Sequence, residues 1–186
     1  MKTKKFNFIF CFIFIFFNVF CSCDNQSVLN QKSTKKEIKP ITLPPVEAIV
    51  SYVYDGDSFK AKSHGVDIKV RLFGIDAPEK NQPYGKESLN NLIKLIKYKK
   101  VILEPIETDR YGRMIAKVYT VKKVDKKEVK TYINLEQLKS GLAWHYKRYA
   151  KNEKDLANAE KAAKNNKLGL WKQSNPVNPE TYRHRK

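Results

Sequence analysis

The sequence predicts a mainly β domain with added helices (α+β): a five-stranded Greek-key barrel of the OB type carrying about three helices. Three observations lead there. Five short β-branched and aromatic runs fall between residues 46 and 121. A single run of helical period interrupts them after the third, and two further helical stretches follow the fifth. Short strands separated by turn residues suit a small closed barrel.

The elements can be justified in order. Residues 46–54 are rich in Val, Ile and Tyr and read as a first strand. Asp55-Gly56-Asp57 is a tight acidic turn, and residues 58–62 form a second strand. Ser63-His64-Gly65 signals another turn. Residues 66–73 then alternate, with Val66, Ile68, Val70 and Leu72 apolar and Asp67, Lys69 and Arg71 between them. A period of two marks a half-buried strand and places Arg71 on the face away from the core. Residues 82–99 change period: Leu89, Leu92, Ile93 and Ile96 share one helical face, with lysines opposite. Strands follow at 101–106 and 114–121, joined by a turn that contains Asp109-Arg110-Tyr111-Gly112-Arg113. Residues 122–130 read as a charged loop. Asn134 is expected to cap a helix running to Ser140 and stopped by Gly141. Asn152 is expected to cap a longer one, packed through Leu156, Ala159, Ala162 and Ala163. Gly169-Leu170-Trp171 closes the domain, which spans 46–173, and 174–186 reads as a frayed tail.

The first 45 residues are of different material. Lys2, Lys4 and Lys5 precede a run of Phe, Ile and Val that ends at Cys21-Ser22-Cys23. The run is short for a spanning helix and reads as a secretory signal over residues 1–22. A small residue before a cysteine resembles the bacterial lipoprotein signal. The expectation is therefore an exported, membrane-anchored chain with lipid on Cys23; Cys21 is the second choice, and plain secretion the alternative. All three cysteines lie before residue 24, so the domain can have no internal disulfide and no thiolate metal site. Residues 24–45 are polar, end in prolines and read, with Cys23, as a flexible tether. The whole chain carries +18, and the signal contributes three lysines and no acid, which leaves +15 on the remainder. That balance favours polyanionic partners.

The chemistry concentrates in residues 54–79, YDGDSFKAKSHGVDIKVRLFGIDAPE. If the hairpin inside this stretch closes, Asp57 and Asp76 approach each other, with Arg71 and Glu79 beside them. Carboxylates held together call for a counter-cation. A hard divalent ion, calcium above all, suits oxygen ligands. Pro78 keeps Ala77 out of the helical region and holds the loop extended.

Four blocks in order carry a resemblance to the staphylococcal nuclease (thermonuclease) family. They are Asp55-Gly56-Asp57-Ser58, the run VRLFGIDAPE at 70–79, Asp109-Arg110-Tyr111-Gly112-Arg113, and Gly141-Leu142-Ala143-Trp144 with Ala159-Glu160 and Gly169-Leu170-Trp171 after it. Each block alone is weak; four at these separations are specific. The resemblance implies calcium carboxylates at Asp57 and Asp76, a main-chain calcium ligand at Ala77, a general base at Glu79, and phosphate-gripping arginines at Arg71 and Arg113. Tyr111, and more loosely Tyr146 and Tyr149, would meet the nucleotide base. Ser58 stands where the family usually has threonine, and the segment around Trp144 to Tyr149 departs from its tyrosine pair. The implied activity is calcium-dependent hydrolysis of DNA and RNA leaving 3′-phosphates, by a monomer. The competing reading is a non-catalytic OB-type nucleic-acid-binding module. It leaves unexplained three carboxylates facing a polyanion. A basic membrane-surface protein would explain the charge but not the motifs.

Overall fold

The computed structural model describes residues 43–185. The expected signal, the three cysteines and the expected tether up to residue 42 lie outside the described residues.

In chain order the elements are β1 (Val46–Val53), β2 (Ser58–Ser63), β3 (Val66–Leu72), β4 (Ile75–Asp76), α1 (Gly85–Ile96), β5 (Lys100–Thr108), β6 (Met114–Val124) and β7 (Lys127–Tyr132). Then come α2 (Ile133–Lys139), β8 (Trp144–His145), α3 (Lys147–Ala150), α4 (Lys154–Asn165), a 3₁₀ turn (Gly169–Lys172) and α5 (Pro179–Arg183). Strand β1 pairs antiparallel with β2 and with β5, β2 with β3, and β5 with β6. A parallel pairing of β3 with β6, Val70 opposite Met114 and Arg71 opposite Ile115, closes these five strands into a ring. The five strands read from the sequence are thus the five barrel strands. The fold is an OB-type barrel with helices packed on it.

Two irregularities bend the ring. Register shifts occur between Val50 and Tyr52 in β1 and between Pro105 and Glu107 in β5. Extra residues at such places sharpen the local twist, and a bulge is where a strand tolerates proline. The β2–β3 turn places His64 and Gly65 at φ 47° and 83°, as a two-residue hairpin turn requires.

The core joins barrel and helices. Phe59, Leu72 and Leu103 from the strands meet Leu92 and Ile96 of α1, Ile133 and Leu138 of α2, and Leu156 of α4, all fully buried. Each such side chain contributes about 1.5–3 kcal/mol. The α1 stripe read from the sequence faces this core as expected, with Leu89 and Ile93 half-buried against it. Trp144 and Trp171 meet edge to face at 4.4 Å in a smaller apolar cluster with Ala163 and Leu170.

Several expectations are corrected. Residues 122–130 are not a loop: β6 runs to Val124, Asp125 and Lys126 turn at φ 49° and 66°, and β7 returns along β6. Tyr119 and Tyr132 stack across this hairpin at 5.0 Å. Neither Asn134 nor Asn152 caps a helix. The caps are Tyr132 and Glu153, without side-chain bonds; Asn134 is buried at the second position of α2 and its side chain bonds elsewhere. On α4 Glu160, not Ala162, completes the buried face. Residues after 174 are not frayed. Asn178 accepts a hydrogen bond from the Glu180 N–H and Pro179 occupies the first helical turn, so α5 starts with a side-chain cap and a proline whose φ is already set.

Candidate active site

The site is built where the β1–β2 turn, the end of β3, and β4 with the loop after it converge. Asp55 organises the turn: Oδ1 accepts from the N–H groups of Asp57 and Ser58, and Oδ2 accepts from the Ser58 hydroxyl. Asp55 thus has a structural role in the turn, and that role uses the hydroxyl of Ser58. Gly56 is pressed against α1 and the loop after β4. A Cβ there would lie 1.9 Å from Ser88 Oγ and 2.8 Å from Ala77 Cβ, so only glycine lets the acidic turn seat this deeply. The Gly56 carbonyl accepts from Gln137 Nε2 of α2 at 2.5 Å.

Seated in this way, Asp57 points into the protein. Its Oδ2 accepts from the Ala77 N–H at 2.6 Å and lies 2.5 Å from Arg71 Nη1. Asp76, 1% exposed, accepts from Arg71 Nη2 at 2.9 Å on Oδ1. Arg71 therefore bridges the two carboxylates, as the face assignment from the β3 alternation allows. Burial pushes the Asp57 carboxyl well above its ordinary value; Arg71 pulls it back, while Asp55 and Asp76 push it further up. Burial works against the Arg71 charge, but Asp57 and Asp76 hold its proton more firmly than usual. Buried charges persist when paired, and these are.

Glu79 sits at the rim, half-exposed. Its N–H donates to Gln82 Oε1, and its carbonyl accepts from the Gln82 N–H at 2.8 Å. Gly85 lies beneath that carbonyl, where a Cβ would approach to 2.0 Å. The start of α1 thus fixes the Glu79 backbone.

Arg113 enters from the other side of the ring seam. The β3–β6 pairing puts the strand that follows Arg113 directly beside that of Arg71. Its guanidinium, however, is tied to Asp109, with Nε donating to Oδ2 at 2.7 Å. The structure brings the two arginine-bearing strands together and leaves the Arg113 side chain on the rim. Burial tends to raise the Asp109 carboxyl, but hydrogen bonds from Arg113 and Tyr111 outweigh it and leave it below its ordinary value. Tyr111 is exposed and lies between Arg110 and Arg113, whose guanidinium groups are 4.9 and 5.5 Å from its ring. Tyr146 and Tyr149 meet edge to face at 5.1 Å, and the Tyr146 N–H donates to the Gly74 carbonyl just before β4. Burial raises the Tyr146 hydroxyl, with Glu180 and Asp76 adding to it. His145 is buried, its N–H on Glu160 Oε1 and its Nε2 on the Ala150 carbonyl, which fits a packing role.

Ala77 is buried, and its main chain is joined to the site through its N–H. Among the described residues, no group of three His, Cys, Asp or Glu side chains is arranged to hold a metal ion. A cation between Asp57 and Asp76 would therefore complete its shell with main-chain oxygen and water. Such an all-oxygen donor set suits a hard ion.

One residue at the site was missed by sequence reasoning. Arg183, in α5, places Nη2 2.9 Å from Asp76 Oδ2, and Nη1 3.2 Å from Asp76 Oδ1 and 2.7 Å from Glu79 Oε1. Burial alone would weaken its hold on the proton; the bonds to Asp76 and Glu79 more than reverse this. Asn178-Pro179 could have announced the helix, but nothing local says where it docks.

Comparison with known proteins agrees with this geometry. A family model described as staphylococcal nuclease homologue matches residues 69–173. An uncharacterized endonuclease of Escherichia coli O157:H7 is 33% identical over 147 residues, covering 79% of this chain and 91% of the relative. One from Haemophilus influenzae is 39% identical over 132 residues, 70% of this chain and 69% of its own length. A staphylococcal-like nuclease of Arabidopsis thaliana is 38% identical over 118 residues, 63% of this chain and 34% of the plant protein. With the barrel, the buried acidic turn and these matches together, the chain belongs to the staphylococcal nuclease family and is a nuclease.

Proposed function

We propose that the domain hydrolyses phosphodiester bonds of DNA and RNA, with calcium held by Asp57, Asp76 and the Ala77 carbonyl, and leaves 3′-phosphates. The observation that carries the reading is the buried Asp57–Arg71–Asp76 group with Glu79 at its rim. A module that only bound nucleic acid would not collect carboxylates where the polyanion must lie. The net charge of +18 suits such a substrate.

In the reaction, water adds to phosphorus and the P–O5′ bond breaks. The leaving oxygen takes a proton as a 5′-hydroxyl, and the phosphate stays on the 3′ side. Negative charge builds on the non-bridging oxygens. Arg71, braced by two carboxylates, and Arg113, braced by Asp109, offer paired N–H groups to those oxygens. When bound, calcium supplies further positive charge against the phosphate. Glu79 accepts the proton of the attacking water, on a backbone fixed by Gln82 and Gly85. Tyr111 offers an exposed ring for a base, with Tyr146 and Tyr149 as a second pair.

The test is cleavage of single- and double-stranded substrates under calcium titration, with end-group analysis. Cleavage is expected to require calcium, and chelator to abolish it while circular dichroism stays unchanged. Asp76→Ala is expected to weaken calcium binding. Full turnover in excess chelator would rule the calcium role out.

A further inference from the structure

Arg183 belongs to a segment more than a hundred positions from the carboxylates it grips, and specific contacts hold it there. The Gln82 side chain donates through Nε2 to the Val177 carbonyl at 2.6 Å. Tyr182 donates from its hydroxyl to the Asn81 carbonyl at 3.1 Å. Arg148 and Glu180 pair at 3.4 Å. Pro179 is buried. The seam beneath the segment is not closed. A cavity of about 250 Å³ lies there, with Pro78, Gln82 and Trp144 on the body side and Val177, Tyr182 and Arg185 on the tail side. The tail is therefore only partly packed against the body.

We infer that the C-terminal segment is a built-in brake on the nuclease site: the Arg183 guanidinium competes with the divalent cation for Asp76 and Glu79. This rests on the calcium-dependent reading above. Both Asp76 oxygens are engaged, Oδ1 by Arg71 and Arg183 and Oδ2 by Arg183, and the same Arg183 holds Glu79 Oε1. A carboxylate engaged in this way neither offers both oxygens to a cation nor readily takes a proton from water. The charge count points the same way. When ionised, Asp57, Asp76 and Glu79 carry three negative charges against one positive charge on Arg71. The excess of two matches a divalent ion, and docked Arg183 cancels half of it. The Arg183 side chain is 40% exposed, so the brake is shallow and yields to calcium and to a polyanion that attracts the arginine away.

The experiment uses the full chain solubilised in detergent, with calcium binding followed by calorimetry and cleavage followed at limiting calcium. Arg183→Ala is expected to bind calcium about tenfold more tightly than the parent and to cut faster at low calcium. At saturating calcium it should match the parent. Arg183→Gln keeps the aliphatic stem and a hydrogen-bond donor without the charge, on a shorter side chain, and is expected to behave the same. Arg185→Ala removes an equal charge from the same tail and is expected to stay within about twofold of the parent. If both Arg183 variants bind calcium no more tightly than the parent, or if Arg185→Ala matches them, the brake is wrong while the calcium reading stands. If parent and variants alike neither bind calcium nor cut, the calcium reading falls and takes the brake with it.

Discussion

Glu79 lies where the buried carboxylate group meets solvent, and its neighbours explain why it can work there. Asp76, three positions earlier in the loop geometry set by Pro78, is inside; Glu79 is held outside by Gln82 and by the glycine under its carbonyl. Glu79 is half-exposed, so water can reach its carboxylate, as the proposed role of proton acceptor requires. Glu79→Gln keeps the size and removes the base. It is expected to lower turnover on the order of 10²-fold or more, with DNA affinity changed much less. Arg71→Ala and Arg113→Ala are expected to lower turnover more than binding, since they act on charge that develops in the transition state. Single-turnover cleavage and equilibrium binding on the same three variants check this. Wild-type rates in all three would show the site to be elsewhere.

At the scale of elements, α2 locks the barrel to the site through two buried amides. Asn134 Oδ1 accepts from the Val118 N–H of β6, and its Nδ2 donates to the carbonyls of Phe73 and Ala116. Gln137 donates to the Gly56 carbonyl in the acidic turn and to the Ser88 carbonyl in α1. Asn134→Ala leaves a buried N–H without its partner and is expected to cost about 1–3 kcal/mol of stability, read from urea unfolding, with the residues of the site itself untouched. These locks also mark the limit of what the sequence could show. The barrel strands were legible because Val66 to Leu72 and their counterparts alternate. The acidic turn and Arg71 were legible because turn residues and strand faces follow local rules. Strand β7 was not, because β6 and β7 carry lysines on both faces beyond Val121 and bury little. The two-residue strands β4 and β8 have no period to detect. Asn134 read as a cap because its partners on β6 and at Phe73 are set only by the tertiary fold. Arg183 was invisible for the same reason: a capped five-residue helix can be read locally, its docking site cannot.

At the scale of the whole molecule, the domain follows a segment read as a leader, whose expected lipid site, Cys23, lies outside the described residues. We propose that the chain is exported and tethered to the cell envelope there, and that it acts as a monomer. The mature protein is expected to partition with membranes and to show a diacylglyceryl mass on Cys23; a soluble mature chain with an unmodified Cys23 would sink the anchor. One feature of the barrel bears on how such an enzyme is made. The ring closes through the parallel pairing of Val70 with Met114, the only parallel pairing among its strands and one between positions far apart in sequence. Such a contact, like the β1–β5 pairing, closes a long loop. Until the ring is complete, the chain around Arg71 and that around Arg113 do not lie side by side and the acidic turn has no closed barrel to seat in. Latency during synthesis, and during the export proposed above, is thus inherent in the topology: the unfolded chain carries every residue proposed for cutting nucleic acid, and no site with which to do it.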